Sequence, residues 1–148
     1  MNKREIVQGL MDSIQKGDFK NAKSMLTDDF RFSGPIPKPA NREDWLTMSA
    51  NLKTAFPDLN YHFIVTDTDG DVVKTTSQLT GTHTGSFDLT AMKMGVIPAT
   101  KKRFSSKIEK TKITVKDNKV KSWVVEPTDG AGLNAILGQL GVKLPIVE

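Results

Sequence analysis

The spacing of apolar residues changes once along this chain, near residue 59. Before it, apolar side chains recur at helical spacing; after it, they alternate. A 3.6-residue repeat buries one side of a helix, and a two-residue repeat buries one face of a strand. Helices followed by alternating strands predict an α+β fold, with helices gathered on one side of an antiparallel sheet.

In the helical part, Ile6, Leu10 and Ile14 fall at i, i+4 and i+8, with Val7 and Met11 beside them. This spacing predicts a helix over 3–16. Gly17-Asp18 ends it, and Phe19, Ala22, Met25 and Leu26 predict a second, short helix over 18–26. Phe30 and Phe32 share one face of a short strand over 28–33. Gly34-Pro35-Ile36-Pro37-Lys38-Pro39 is a loop, because its prolines remove donors and fix φ. Asn41 is placed to cap the next helix, with Glu43 and Asp44 in the first turn, where the helix dipole favours acids. Trp45, Ser49, Leu52 and Phe56 mark its buried side, and Pro57 ends it.

Leu59, Tyr61, Phe63 and Val65 then alternate with Asn60, His62, Ile64 and Thr66. Asp69-Gly70 signals a hairpin turn. Strands are predicted over 72–83, 103–116 and 119–126, with Asp117-Asn118 as a turn, and a short helix over 132–140. Long strands twist, so the sheet is expected to be strongly curved and cone-shaped, with the N-terminal helices in its concavity. Phe104 and Ile108 have one parity, Ile113 and Val115 the other. Keeping both pairs on the core face requires a bulge within 109–112. No repeat or composition shift divides the chain, which reads as one domain over 1–148.

Composition removes several kinds of chemistry. The 148 residues contain no cysteine, so disulfides, thiolate nucleophiles and Cys-based zinc sites are excluded. The two histidines form neither HxxxH nor HExxH, and GxSxG, P-loop and GxGxxG motifs are missing. No metal and no cofactor are expected. The basic N-terminus lacks a following apolar h-region, and no apolar run approaches a membrane span of ~18 residues, so a cytoplasmic, membrane-free protein is expected. The net charge of +4 rests partly on Lys101-Lys102-Arg103 and the lysines at 107, 110, 112, 116, 119 and 121. Only Phe104 and Trp123 lie near them, short of the interleaved aromatics that single-stranded nucleic acid needs. The stripe reads as the solvated face of paired strands, with no nucleic-acid partner.

The candidate site starts from Gly81-Thr82-His83-Thr84-Gly85. One face of strand 72–83 carries Val73, Thr75, Ser77, Leu79, Gly81 and His83; the other carries Val72, Lys74, Thr76, Gln78, Thr80 and Thr82. The first set is uncharged up to His83 and is predicted to face the helices. His83 then sits at a pocket rim, as a group able to titrate near neutral pH or as a satisfied structural histidine. Glu126 shares parity with Val120 and Val124, and enters the pocket if that face is inward. Asp129, in Pro127-Thr128-Asp129-Gly130, is an acid/base candidate or a turn and N-cap residue. Trp45, Phe56, Tyr61, Phe63, Ser77 and Leu79 are expected to line the pocket, and His62 to point outward. Lys74, Thr76, Gln78 and Thr80, with Lys121 or Trp123 nearby, suit a polar dimer interface on the open sheet face.

Four segments carry a resemblance over nearly the whole chain: Ala55-Phe56-Pro57-Asp58-Leu59, Gly81-Thr82-His83-Thr84-Gly85, Ile97-Pro98-Ala99-Thr100 and Gly138-Gln139-Leu140-Gly141. In this order they resemble the SnoaL-like polyketide cyclase or ester cyclase group of the nuclear-transport-factor-2-like superfamily. The resemblance implies a curved antiparallel sheet, a helix-lined cone, and a homodimer through the sheet. In characterised cyclases of the group, an aspartate just before the terminal helix is the acid/base of an intramolecular aldol closure; Asp129 holds that place. Their histidine on the penultimate strand has no counterpart within 103–116. The resemblance implies cofactor-free cyclisation or isomerisation of a hydrophobic carbonyl compound, with Asp129 or Glu126 moving a proton and His83 or Tyr61 donating to the enolate oxygen. A non-catalytic small-molecule binder or a protein-interaction module on the same fold remains the alternative.

Overall fold

The computed structural model describes residues 2–34, 39–88, 95–126, 128 and 133–141. Helix α1 spans Lys3–Lys16, capped by the Asn2 side chain, which accepts from the Glu5 N–H, and closed by Gly17 at φ 80°. It buries Ile6, Val7, Leu10, Met11 and Ile14, the predicted stripe. Helix α2 is Phe19–Ser24, and strand β1 runs over Leu26–Ser33, starting two residues before the expected 28. After β2 (Ala40–Asn41), α3 covers Arg42–Ala55 with the expected Asn41 cap. Strands β3 (Ile64–Asp69), β4 (Val72–Ser77), β5 (Thr80–Thr82), β6 (Phe87–Asp88), β7 (Val96–Ile97), β8 (Arg103–Ser105), β9 (Glu109–Lys116) and β10 (Lys119–Val125) follow, then α4 (Leu133–Gln139).

The main sheet has the order β2–β1–β10–β9–β4–β3. Its pairs are antiparallel except β1 with β10, which are parallel. The β9–β10 turn places Asp117 and Asn118 at positive φ, as a tight hairpin requires. Small ladders β5–β8 and β6–β7 extend the fold beyond the sheet. The buried residues form two clusters. The first joins α1, the first half of α3 and the inner face of the sheet; the second joins the end of α3, α4 and the small ladders.

Four expectations are corrected by the backbone. The strand beginning at 59 starts at Ile64, because the Asn60 side chain accepts the His62 N–H and His62 turns to φ 44°. Strand 72–83 is two strands. At Gln78-Leu79 the chain leaves β9 for β8, and Ser106 holds the break: its Oγ accepts the Leu79 N–H, and its own N–H donates to the Leu79 carbonyl. Strand 103–116 is likewise broken. The shift of parity lies at 106–108 and not within 109–112: Phe104 and Ser106 are buried, Ile108 is exposed, and β9 pairs with β4 in unbroken register from Glu109. In β10, a register shift between Val120 and Ser122 reverses which residues face inward. Val120 and Trp123 are both buried, and Val124 is exposed.

Candidate functional site

The predicted inward face of 72–83 is the observed one: Val73, Thr75, Gly81 and His83 are buried, while Ser77 and Leu79 are partly so. The Gly81–Gly85 segment is fastened on several sides. Asp58 accepts the Thr82 N–H at 2.7 Å and the Thr82 hydroxyl at 2.8 Å. Those bonds hold its carboxyl below the usual value. Gly85 N–H donates to the Ala55 carbonyl, and His83 exchanges backbone bonds with Lys101 and Lys102. A Cβ on Gly85 would lie 2.0 Å from the Thr54 carbonyl oxygen, so only glycine permits this approach to the end of α3.

His83 is fully buried in this clasp. Its ring centroid lies 5.3 Å from that of Phe56, which in turn packs 4.7 Å from Phe104 and 5.5 Å from Phe87. Nδ1 accepts the Thr100 backbone N–H at 3.2 Å and lies 3.0 Å from the Thr100 hydroxyl. An accepting Nδ1 places the proton of the neutral ring on Nε2, which has no hydrogen-bond partner among the described residues. Burial lowers the His83 pKa, with the Gly85 backbone opposing, so the ring is neutral at pH 7.

The inner face of the main sheet is different. Its register aligns Trp123, Ile113 and Val73 in one row, Val125, Thr111, Thr75 and Val65 in the next, and Glu109 opposite Ser77 beyond them. Aromatic rings cover the first row: Trp45 lies 5.2 Å from Trp123 and 5.0 Å from Phe30, and Phe63 lies 5.8 Å from Trp123. Three polar residues of the second and third rows are buried, Thr75, Thr111 and Glu109, each under a tenth exposed. The Thr75 hydroxyl has no hydrogen-bond partner among the described residues. Tyr61 packs against both clusters, and burial pushes its phenol pKa up, which keeps it protonated as a donor. A shallow groove of about 420 Å³ opens between the start of α1 and the start of β3, and Phe63 lines it, so the aromatic wall meets the surface there. Among the described residues, no group of three or more His, Asp or Glu is placed to hold a metal ion. None of the described helices is long and apolar enough to cross a membrane.

The sequence matches the SnoaL-like polyketide cyclase family over residues 4–133. The chain belongs to that family. Among solved structures, it is similar to a candidate SnoaL-like polyketide cyclase from Jannaschia sp. CCS1, with 22% identity and a TM-score of 0.72 over 95% of this chain and 92% of that one. IdmH, a candidate polyketide cyclase from Streptomyces antibioticus, gives 23% identity and a TM-score of 0.72 over 96% of this chain and 100% of its own. AclR, a candidate hydroxylase from Streptomyces galilaeus, gives 18% and 0.69 over 94% and 95%. These likenesses fix the nuclear-transport-factor-2-like fold. No curated protein sequence matches the chain.

Within this SnoaL-like chain the sequence-derived candidates separate. Trp45, Phe63 and Tyr61 pack at the first cluster, and Ser77 stands opposite Glu109 on its sheet. Phe56 is fully buried in the second cluster, where Leu79 packs, and His83 is bound up beside them. Glu126 does not enter the interior. The β10 register shift turns it outward, where its carboxylate lies 3.5 Å from the Lys112 ammonium and is 41% exposed. Trp123, expected beside the open face, is inside instead. Asp129 lies outside the described residues. His62 is exposed, as expected, 3.0 Å from the Thr80 hydroxyl. Glu109 is the buried carboxylate that sequence reasoning missed. Between Ile108 and Lys110 in a lysine-rich stripe it looks like a surface residue, and only the parity of Thr111, Ile113 and Val115 could have exposed it.

Proposed function

We propose that this SnoaL-like protein is a cofactor-independent acid/base catalyst that cyclises or isomerises a flat hydrophobic carbonyl compound on the inner face of its sheet. The observation that carries the reading is Glu109, a buried carboxylate on the helix side of β9, on the same sheet face as the Trp45–Trp123–Phe63 wall. Burying a carboxylate away from water is costly, and such groups concentrate where proton transfer is needed. IdmH, named as a candidate cyclase, shares the fold.

In this reading Asp129 or Glu109 takes a proton from the carbon next to a substrate carbonyl. The C–H electron pair moves into the enolate, and the Tyr61 phenol donates a hydrogen bond to the enolate oxygen. In a cyclisation the enolate carbon attacks a second carbonyl of the same molecule, and the new alkoxide takes the proton back from the acid. In an isomerisation the proton returns to a different carbon. His83 serves the fold in this scheme, and Glu126 stays outside it. A second copy docking on the outer face, beside exposed Val124 and Ile64, accounts for the expected homodimer, which sedimentation would test.

The chemistry is tested by exchange of the α-protons of 1-tetralone, a flat hydrophobic ketone, in D2O by NMR. The wild type is expected to exchange them faster than buffer. Asp129→Asn or Glu109→Gln should remove the acceleration, and His83→Gln should keep it in protein that remains folded. No acceleration by wild type, or its loss in folded His83→Gln alone, contradicts the reading.

A further inference from the structure

Ahead of β3, the backbone around Tyr61 is held by a side chain where a strand would ordinarily hold it. The Asn60 N–H and carbonyl both pair with Thr80, at 3.0 Å. In an extended chain the Leu59 carbonyl and the Tyr61 N–H then point to the opposite edge. Gln15, in the last turn of α1, meets both: its Nε2 donates to the Leu59 carbonyl, and its Oε1 accepts the Tyr61 N–H at 3.0 Å. One side-chain amide thus takes the place of a neighbouring strand and satisfies two backbone groups. Gln15 is itself fixed, since its carbonyl, left over at the end of α1, accepts the Lys53 ammonium of α3 at 3.1 Å. The Tyr61 carbonyl in turn accepts the Gln78 N–H at 2.9 Å. Tyr61 is therefore pinned on both sides of its Cα, one residue before the chain turns at His62.

We propose that Gln15 is a positioning residue for Tyr61, holding its backbone so that the phenol keeps the place from which it donates to the enolate oxygen. The inference rests on the proton-transfer reading given above, and it adds to that reading a residue that touches no substrate. The direction of a side chain follows its backbone, and the Tyr61 ring packs against both buried clusters, so a shift at its Cα moves the hydroxyl between them. A donor displaced by a fraction of an ångström from a developing oxyanion loses much of its effect on rate and little of the substrate's affinity. An apolar residue at 15 would leave the Leu59 carbonyl and the Tyr61 N–H without their partner. A glutamate there would still accept the Tyr61 N–H but, when ionised, could not donate to Leu59.

Tyr61 is the only tyrosine in the chain, so it supplies its own reporter. Wild type, Gln15→Leu and Gln15→Glu are prepared with 13C-labelled tyrosine and compared by the Tyr61 ring signals and by 1-tetralone exchange per folded molecule. Gln15→Leu should shift the ring signals and slow exchange at saturating ketone about tenfold, with the half-saturating concentration little changed. Gln15→Glu should recover part of the rate and bring the ring signals back toward wild type. In a Tyr61→Phe background, Gln15→Leu should cause no further loss, because the hydroxyl it positions is already gone. Should Gln15→Leu fail to fold, Gln15→Glu, alone and with Tyr61→Phe, carries the same comparison. Wild-type ring signals and exchange in the folded Gln15 variants overturn the inference and leave the proposed function standing. A loss that persists undiminished in Tyr61→Phe overturns it too, because Gln15 would then act on the fold at large. Exchange by wild type no faster than buffer overturns the proposed function and this inference together.

Discussion

The two buried clusters of this protein hold their polar groups differently. In the clasp around His83, most polar atoms are tied to neighbours, Asp58 to Thr82, Gly85 to Ala55, and His83 Nδ1 to Thr100, and Nε2 of the same ring is the exception among the described residues. On the inner face of the sheet, Thr75 leaves its hydroxyl unmatched among the described residues. Satisfied polar groups specify a structure, whereas unmatched buried ones lower stability unless something else uses them. The difference favours a place in the fold for the Gly-Thr-His-Thr-Gly segment, while strand β9 carries the chemistry proposed above.

The contrast can be broken first at the clasp. Phe56→Ala should cost about 3–5 kcal/mol, the range for emptying an aromatic core position, and urea unfolding would read it. A loss below about 1 kcal/mol would mean that the second cluster is not a true core. Gly85→Ala should cost about 3 kcal/mol, because its methyl group would collide with the end of α3. A smaller effect belongs to His83. Its folded pKa is lowered, so between that value and the ordinary ~6.5 the unfolded chain binds more protons, and stability falls as pH drops through this window. Asp58 titrates lower, since its own pKa is held below 3.8. His83→Gln should therefore flatten the decline in melting temperature between pH 7.5 and 5. An unchanged slope would place His83 outside the buried, neutral state. Thr75→Val sharpens the other side: stability should hold or rise by up to about 1 kcal/mol in the absence of ligand. The smallest effect is at Glu126, whose exposed partner is Lys112; Glu126→Ala should change stability by less than about 0.5 kcal/mol and leave 1-tetralone exchange intact.

The sequence made the alternating faces of 72–83 legible, because Lys74, Thr76 and Gln78 fall on one parity and Val73, Leu79 and Gly81 on the other, and Asn41 announced its helix by cap chemistry. It could not reveal where strands change partner. The break at Gln78-Leu79 depends on Ser106, which is distant in sequence, and the turn at His62 depends on the Asn60 side chain. A one-residue shift then reverses a whole strand: the register shift after Val120 sent Glu126 out and Trp123 in. The same effect at 106–108 hid Glu109. The motif most visible in the sequence was visible because glycine and histidine are fixed there by packing; the inner-face acid had no such signature.

The central assignment, His83 as a neutral clasp residue and not a proton carrier, is tested most directly by the imidazole nitrogens themselves. Long-range 1H–15N spectra of uniformly 15N-labelled protein, recorded from pH 8 to 5, report tautomer and protonation of His83. The account predicts an unprotonated Nδ1 and a protonated Nε2, a titration midpoint below 6.5, and no change when 1-tetralone is added. A midpoint at or above 6.5, or a change of tautomer on adding that compound, would contradict it and return the chemistry to His83.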